Sequence, residues 1–238
     1  MRRPLVVVPA RLAAQTSALR YAAVVNARAL VTMVHEAGAE PLSSLPWPDG
    51  PTLGAADIES RLGFADAVLL PGGGDLDPTS YGEPVSSEHV YDVDPLQDTV
   101  DLAIARWAIE STRPLLAVCR GLHVVNVALG GTLEQHMSAP HREVVHREVR
   151  HHVTSDGDGW PPGVGVSSSF PVSCYHHQRI ARLATGLQVL ARAGDDTIEA
   201  VSMPSRESWF LGVQWHPEDT PAAATQAQLV TAFVDAAR

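Results

Sequence analysis

The 238-residue sequence has no lysine at all; its 17 basic residues are all arginine. That absence removes the Lys-Ser/Thr ending of a nucleotide phosphate loop, so the glycine-rich stretch Gly72-Gly73-Gly74 needs another explanation. Cysteine is scarce too. Cys119 and Cys174 are too few for a disulfide framework and fit a reducing cytoplasm. No run approaches the roughly 20 apolar residues of a membrane span. Met1-Arg2-Arg3 followed by Pro4 to Ala10 has the order of a signal peptide, but the apolar run is short and Arg11 interrupts it, so a cytoplasmic protein is expected. Positive charge is the minority sign, and the net charge of -10 argues against nucleic acid or anionic membrane as partner. No internal repeat or second domain is visible. A 45% hydrophobic chain of this length can bury one large core, so a single domain over residues 1–238 is expected.

Strand and helix patterns alternate along the chain. Leu5 to Pro9 reads as a strand, Tyr21 to Ala37 as a helix ended by Gly38, Glu40 to Leu45 as a short strand and Ala65 to Leu70 as a buried one. Asp94 to Glu110 is an amphipathic helix with Leu96, Val100, Ile104 and Trp107 or Ala108 on one face, and Ala222 to Ala237 is a covering helix. Such alternation predicts an α/β fold of three layers, a mostly parallel central sheet with helices on both faces.

Two short segments carry chemistry. Leu115-Leu116-Ala117-Val118 is the apolar run of a doubly buried strand, Leu122 to Leu129 is helical, and Gly130-Gly131 closes it. Cys119 falls at the abrupt turn between strand and helix, where a nucleophile is presented and the helix-end field favours thiolate; Gly121 allows helix and strand to approach. A buried structural cysteine is the plainer reading of this residue alone. Near the C-terminus, Trp209 to Trp215 alternates like a strand that delivers His216 at its end; Pro217 stops the ladder, and Glu218 can turn back onto the imidazole. Thiol, imidazole and carboxylate are the three members that nucleophilic acyl transfer requires. The glycine loop then supplies an oxyanion hole, assigned to the backbone amides of Gly72, Gly73 and Arg120.

Val118-Cys119-Arg120-Gly121, Gly130-Gly131-Thr132-Leu133 and Gly212-Val213-Gln214-Trp215-His216-Pro217-Glu218 resemble the class I glutamine amidotransferase superfamily. Pro71-Gly72-Gly73-Gly74-Asp75-Leu76-Asp77-Pro78, Tyr81-Gly82-Glu83 and Ser173-Cys174-Tyr175-His176-His177-Gln178 bring the resemblance closest to its peptidase C26-like branch, the gamma-glutamyl-gamma-aminobutyrate hydrolases. The resemblance implies a flavodoxin-like fold. It also implies a stand-alone hydrolase that cleaves a small-molecule gamma-glutamyl amide through a thioester on Cys119, with neither metal nor organic cofactor. It further places Cys174, Tyr175 and His176 at the glutamyl moiety. The position four residues after Cys119 often holds glutamine in these proteins; here it would set His123 at the same moiety. A glutaminase subunit serving a separate synthase and a catalytically silent binding module are the alternatives. Assembly of several copies of the chain is compatible with the sequence.

Two further regions invite a reading. His136, His141, His146, His151 and His152 crowd one polar stretch, but spacings of five do not stack on a helical face and no nearby Cys or carboxylate completes a ligand set; surface histidines without metal are expected. Thr154 to Ser169, rich in Gly, Pro, Asp and Ser, reads as a loop, and the resemblance places it beside the substrate.

Overall fold

A computed structural model describes residues 2–11, 18–48, 52–137, 146–220 and 223–238. Nine strands form one sheet in the order β2-β1-β3-β4-β11-β10-β9-β6-β7. Its parallel half consists of β1 (Leu5–Pro9), β2 (Glu40–Ser44), β3 (Ala67–Leu70), β4 (Leu115–Val118) and β11 (Phe210–Val213). β10 (Ile198–Ser202), β9 (Gln188–Ala193), β6 (Arg147–Ser155) and β7 (Ser169–Tyr175) extend it antiparallel. β5 (Thr132–Glu134) and β8 (Arg179–Arg182) pair separately.

The alternation of side chains along the parallel strands divides the core in two. Val6, Val8, Leu69, Leu116 and Val118 face α1 (Ala18–Glu36) and a C-terminal helix, α5 (Ala224–Ala236). Val7, Val68, Leu70, Leu115 and Ala117 face α2 (Ala55–Leu62), α3 (Pro95–Glu110) and α4 (Arg120–Ala128). Each fully buried Leu or Val stabilises the fold by about 1.5 to 3 kcal/mol. The expected three-layer α/β architecture is therefore present, and all five parallel strands deliver their carboxyl ends to one edge.

Helix ends follow the local chemistry. Asp94 caps α3 by accepting from the amides of Leu96 and Gln97 at 3.1 and 3.2 Å, and Pro95 opens the helix. Gly38, at φ 98°, ends α1 where an L side chain is strained. Of the boundaries that differ from expectation, two bear on the site: α4 starts at Arg120, two residues early, and β11 stops at Val213 rather than Trp215. The second has a clear cause, because the partner strand β4 ends at Val118 and Gln214 turns its amide to the Glu199 carbonyl on β10. Ala222, the expected start of the last helix, and His141 lie outside the described residues. No helix among the described residues is long and apolar enough to cross a membrane.

Candidate active site

The Cys119 backbone is strained at the carboxyl edge of the sheet. Its φ and ψ are 52° and -109°, a region that costs a side-chain-bearing residue about 1 to 3 kcal/mol. The surroundings hold it there: its amide donates to the Val213 carbonyl at 2.7 Å while α4 begins at the next residue. Gly121 is required by contact, since a Cβ there would lie 2.2 Å from the Leu70 carbonyl oxygen. The thiol is thus held at the end of β4 and the start of α4.

His216 arrives from the neighbouring strand. Its amide donates to the Ser173 carbonyl at 2.8 Å, and the helical turn Pro217–Asp219 folds Glu218 back so that His216 Nδ1 and Glu218 Oε1 are 2.6 Å apart. Nε2 is left for Cys119, which lines the same cleft as His216 and whose charge acts on the ring. Burial alone would favour neutral imidazole; the charges of Glu218 and Cys119 outweigh it and raise the His216 pKa well above the ordinary value. Behind the sulfur, Gln214 Nε2 lies 3.8 Å from Cys119 Sγ and Gln214 Oε1 lies 2.7 Å from His123 Nε2. Burial lowers His123 to about 3, so this ring is neutral, and its Nε2–H donates to the Gln214 oxygen. His123 therefore orients the amide beneath the thiol, and that nitrogen is not free for a glutamyl head as the resemblance implied.

The glycine loop borders both groups. A Cβ on Gly72 would meet His216 Cε1 at 3.0 Å and Cys119 Cβ at 3.7 Å. Arg11 grips the loop from behind, donating from Nε to the Gly72 carbonyl and from Nη2 to the Pro71 carbonyl, each at 2.8 Å. Because a trans peptide points N–H opposite C=O, the amides of Gly73 and Gly72 are turned away from Arg11. Among the described residues, neither they nor the Arg120 amide donates to another protein group. Arg11 also pairs with Asp101, and the buried Arg120 side chain pairs with Asp101 and Asp98 on α3. Burial disfavours the Arg120 cation, but Asp101 and Asp98 outweigh it and raise its pKa, so the guanidinium stays charged and ties the elbow to α3. Sequence reasoning used Arg11 only as a break in an apolar run; Asp98 and Asp101 lie on the buried face of α3, where carboxylates signal buried partners.

A cleft of about 260 Å³ opens over Cys119 and His216, lined also by Asn26, Gly73, Tyr91, Arg147 and Tyr175. Tyr175 sets its ring edge against His216, with centroids 5.2 Å apart. Tyr91, Arg147 and Asn26 had no signal in the sequence, since each comes from a separate loop or element. The 156–168 segment lies elsewhere. Trp160, Pro162 and Gly163 line a larger cavity, about 930 Å³, together with Pro114 and Trp209, the residues that precede β4 and β11. Trp209 Nε1 donates to the Pro162 carbonyl there at 3.1 Å. The segment therefore sits at the amino edge of the sheet, opposite Cys119, which corrects the expectation that it borders the substrate.

Of the other expected binding residues, His123, Tyr175 and His176 line a small pocket that borders Cys119, Gly73 and Arg120, whereas Cys174 is turned away from it. Cys174 is fully buried, 3.1 Å from His151 Nε2 and 3.7 Å from Glu199 Oε2. Burial pushes its thiol well above the ordinary range, so this second Cys, His and Glu grouping lacks both access and thiolate. His176 spends Nδ1 on the Gln178 carbonyl at 2.9 Å and turns Nε2 to Glu199. The histidine-rich stretch is also not a set of surface groups. His146 is buried, and Cys174 and Glu199 come from β7 and β10 to supply the thiol and carboxylate that the stretch itself lacks. His136 contacts His177, whose Nε2 is 3.0 Å from Asp75; His152 is exposed.

A sequence profile of the family described as Peptidase C26 matches residues 4–218. The chain is 38% identical over 181 residues to a "Putative glutamine amidotransferase" of Mycobacterium tuberculosis, covering 72% of this chain and 55% of that one. It is 33% identical over 174 residues to the "Gamma-glutamyl-gamma-aminobutyrate hydrolase PuuD" of Escherichia coli K12, covering 68% and 67%. The crystal structure of a "putative gmp synthase subunit a protein" from Thermoplasma acidophilum has the same fold, with a TM-score of 0.64 over 100% of this chain and 96% of that chain at 12% identity.

Proposed function

The chain belongs to the peptidase C26 family, and on that premise we propose that it is a stand-alone cysteine hydrolase of gamma-glutamyl amides, acting as one domain over its whole length. The observation that carries this reading is the strained Cys119 sharing one cleft with His216, whose Nδ1 is held by Glu218. His216 takes the proton of Cys119 or already holds it, and the raised imidazole suits it to carry that proton. Thiolate attacks the gamma-carbonyl, and the carbonyl oxygen takes up charge against the amides of Gly73, Gly72 and Arg120. Each such donor stabilises the transition state by about 2.7 to 4 kcal/mol. His216 then protonates the leaving amine and afterwards activates the water that releases glutamate from the thioester, while Glu218 keeps the ring aligned.

Among the cleft residues, Tyr175 and Arg147 are assigned to substrate, Arg147 as partner of the glutamyl carboxylate. The leaving amine is a gamma-aminobutyrate- or polyamine-like group. Release of glutamate is to be measured from a panel of gamma-glutamyl amines and from glutamine, with Cys119→Ala as control. Release from one amide that is absent in the variant supports the proposal. Release from none, or from glutamine only after a synthase is added, replaces it with the binding-module or glutaminase-subunit reading.

A further inference from the structure

We propose that His146, Cys174, His176 and Glu199 bind a zinc ion that clamps β7 to β6 and β10, separately from the catalytic site. The four side chains are buried, and one ligand atom from each lies within 4.8 Å of all the others. His146 Nδ1 is 3.2 Å and His176 Nε2 is 3.5 Å from Glu199 Oε1, and Cys174 Sγ is 3.7 Å from the second oxygen of Glu199. Ligands held at zinc bond lengths of about 2.0 to 2.3 Å in a tetrahedron stand about 3.3 to 3.8 Å apart, so the two histidine distances to Oε1 and the sulfur distance to Oε2 are close to that length, and the other ligand atoms, up to 4.8 Å apart, draw in on binding.

The partners of the two imidazoles decide between a metal and an ordinary hydrogen-bond cluster. His176 Nδ1 is 2.9 Å from the Gln178 carbonyl, which can only accept, so that nitrogen carries the proton and Nε2 has a bare lone pair. His146 Nε2 is 3.3 Å from Asp195 Oδ1, a carboxylate that likewise takes the proton on that side, so Nδ1, 3.2 Å from Glu199 Oε1, is the nitrogen a metal would take in place of a proton. A histidine that donates one N–H to a carbonyl or carboxylate while its other nitrogen faces inward is the arrangement of metal-bound imidazole. Both inward nitrogens face Glu199 Oε1, and none of the three atoms has a hydrogen bond of acceptable geometry. Two nitrogens and a carboxylate oxygen so placed, away from water, call for positive charge between them, and a metal ion satisfies all three at once where a proton on His146 satisfies two.

Backbone features aim these ligands. The β9–β10 register shifts between Ile198 and Ala200, which makes Glu199 the extra residue of a bulge, a device that redirects a side chain. On the other side, Cys174 and His176 point into the cluster while Tyr175 between them points to the cleft. One thiolate, two imidazoles and one carboxylate suit zinc, and together they balance its charge. Binding releases the Cys174 thiol proton to solvent, along with any proton shared by His146 and Glu199. His151, 3.1 Å from the sulfur and only partly buried, stands next to the thiolate. The clamped strand is also the one whose Ser173 carbonyl receives the His216 amide, so the ion would steady the catalytic histidine from a distance.

Zinc content of the protein, purified with zinc present and then freed of loosely held metal, tests this. Cys119→Ser protein is the essential control, because the catalytic Cys, His and Glu are themselves potential zinc ligands. The proposal requires about one tightly held zinc per chain in wild type and in Cys119→Ser, with affinity lowered at least about 100-fold in Cys174→Ser and Glu199→Gln. Should those variants fail to fold, cobalt-loaded Cys119→Ser protein decides alone. Cys174 is then the sole thiol, and thiolate-to-cobalt charge-transfer absorption must appear. Absence of that band, zinc retained undiminished in Cys174→Ser, or zinc lost in Cys119→Ser would each overturn the proposal.

Discussion

The protein contains two groupings of cysteine, histidine and glutamate, and they are built for opposite ends. At Cys119 the sulfur stands on a strained turn at the carboxyl edge of the sheet, bordered by a cleft, with one imidazole shared between thiol and carboxylate. At Cys174 the sulfur is sealed among three strands, and the histidines give their outward nitrogens to Gln178 and Asp195 while the inward ones meet the carboxylate. Residue type therefore does not distinguish a nucleophile from a ligand. Access, and the direction in which each imidazole proton points, do.

The sharpest break between the two regions is expected from paired cysteine variants. Cys119→Ala should remove turnover, by about 10³-fold or more, and leave the melting temperature near that of wild type. Cys174→Ala should do the reverse, retaining most of kcat while the melting temperature falls, as read by differential scanning calorimetry. Equal losses of activity in both would erase the distinction.

The next effect concerns the carboxylates. Glu218→Gln should lower kcat by about 10²-fold, since alignment of His216 and support of its charge are lost while the nucleophile stays. The same variant should shift the pH profile. His216 is raised in the folded protein, so its contribution to stability is full below the unfolded value of about 6.5 and is lost as pH rises through the raised folded value. The alkaline limb of kcat/KM, which reports loss of the His216 proton, should move to lower pH in Glu218→Gln. An unmoved limb would mean that another group sets it.

A smaller change is expected at the glycine loop. Arg11→Met leaves the Pro71 and Gly72 carbonyls and Asp101 short of a donor, so kcat should fall about tenfold to a hundredfold with KM little altered, because the amides of the loop serve the transition state more than the ground state. Smallest of all, Arg147→Met at the cleft rim should raise KM for gamma-glutamyl amides several-fold and leave kcat nearly unchanged. A kcat loss equal to the KM change would move Arg147 from binding into the chemistry.

Much of the Cys119 region was legible in the sequence because its signals are local. The strand, elbow and helix are consecutive, and Pro217 puts Glu218 within one turn of His216. The Cys174 region was illegible for the opposite reason. His146, Cys174 and Glu199 are brought together by antiparallel strand pairing, and the spacing of the histidines alone argued against a metal when the missing ligands lay on β7 and β10. The Arg11, Asp101 and Arg120 ladder was hidden likewise, since a carboxylate on an amphipathic helix reads as solvent-facing until a buried arginine is placed against it. The 156–168 segment went to the wrong edge because the sequence carries no sign of the direction in which β6 and β7 run. Motif position put His123 and His176 beside the small pocket that borders Cys119, while which ring nitrogens are held by Gln214 and Gln178 had no signal in the sequence.

The most direct test of the central assignment is to quench the protein with acid during turnover of a gamma-glutamyl amide and map the acylated residue by peptide mass spectrometry. The account predicts a glutamyl thioester on Cys119, accumulating in Glu218→Gln if deacylation slows, and none on Cys174. A glutamyl adduct on Cys174, or full turnover in a protein lacking Cys119, would contradict it.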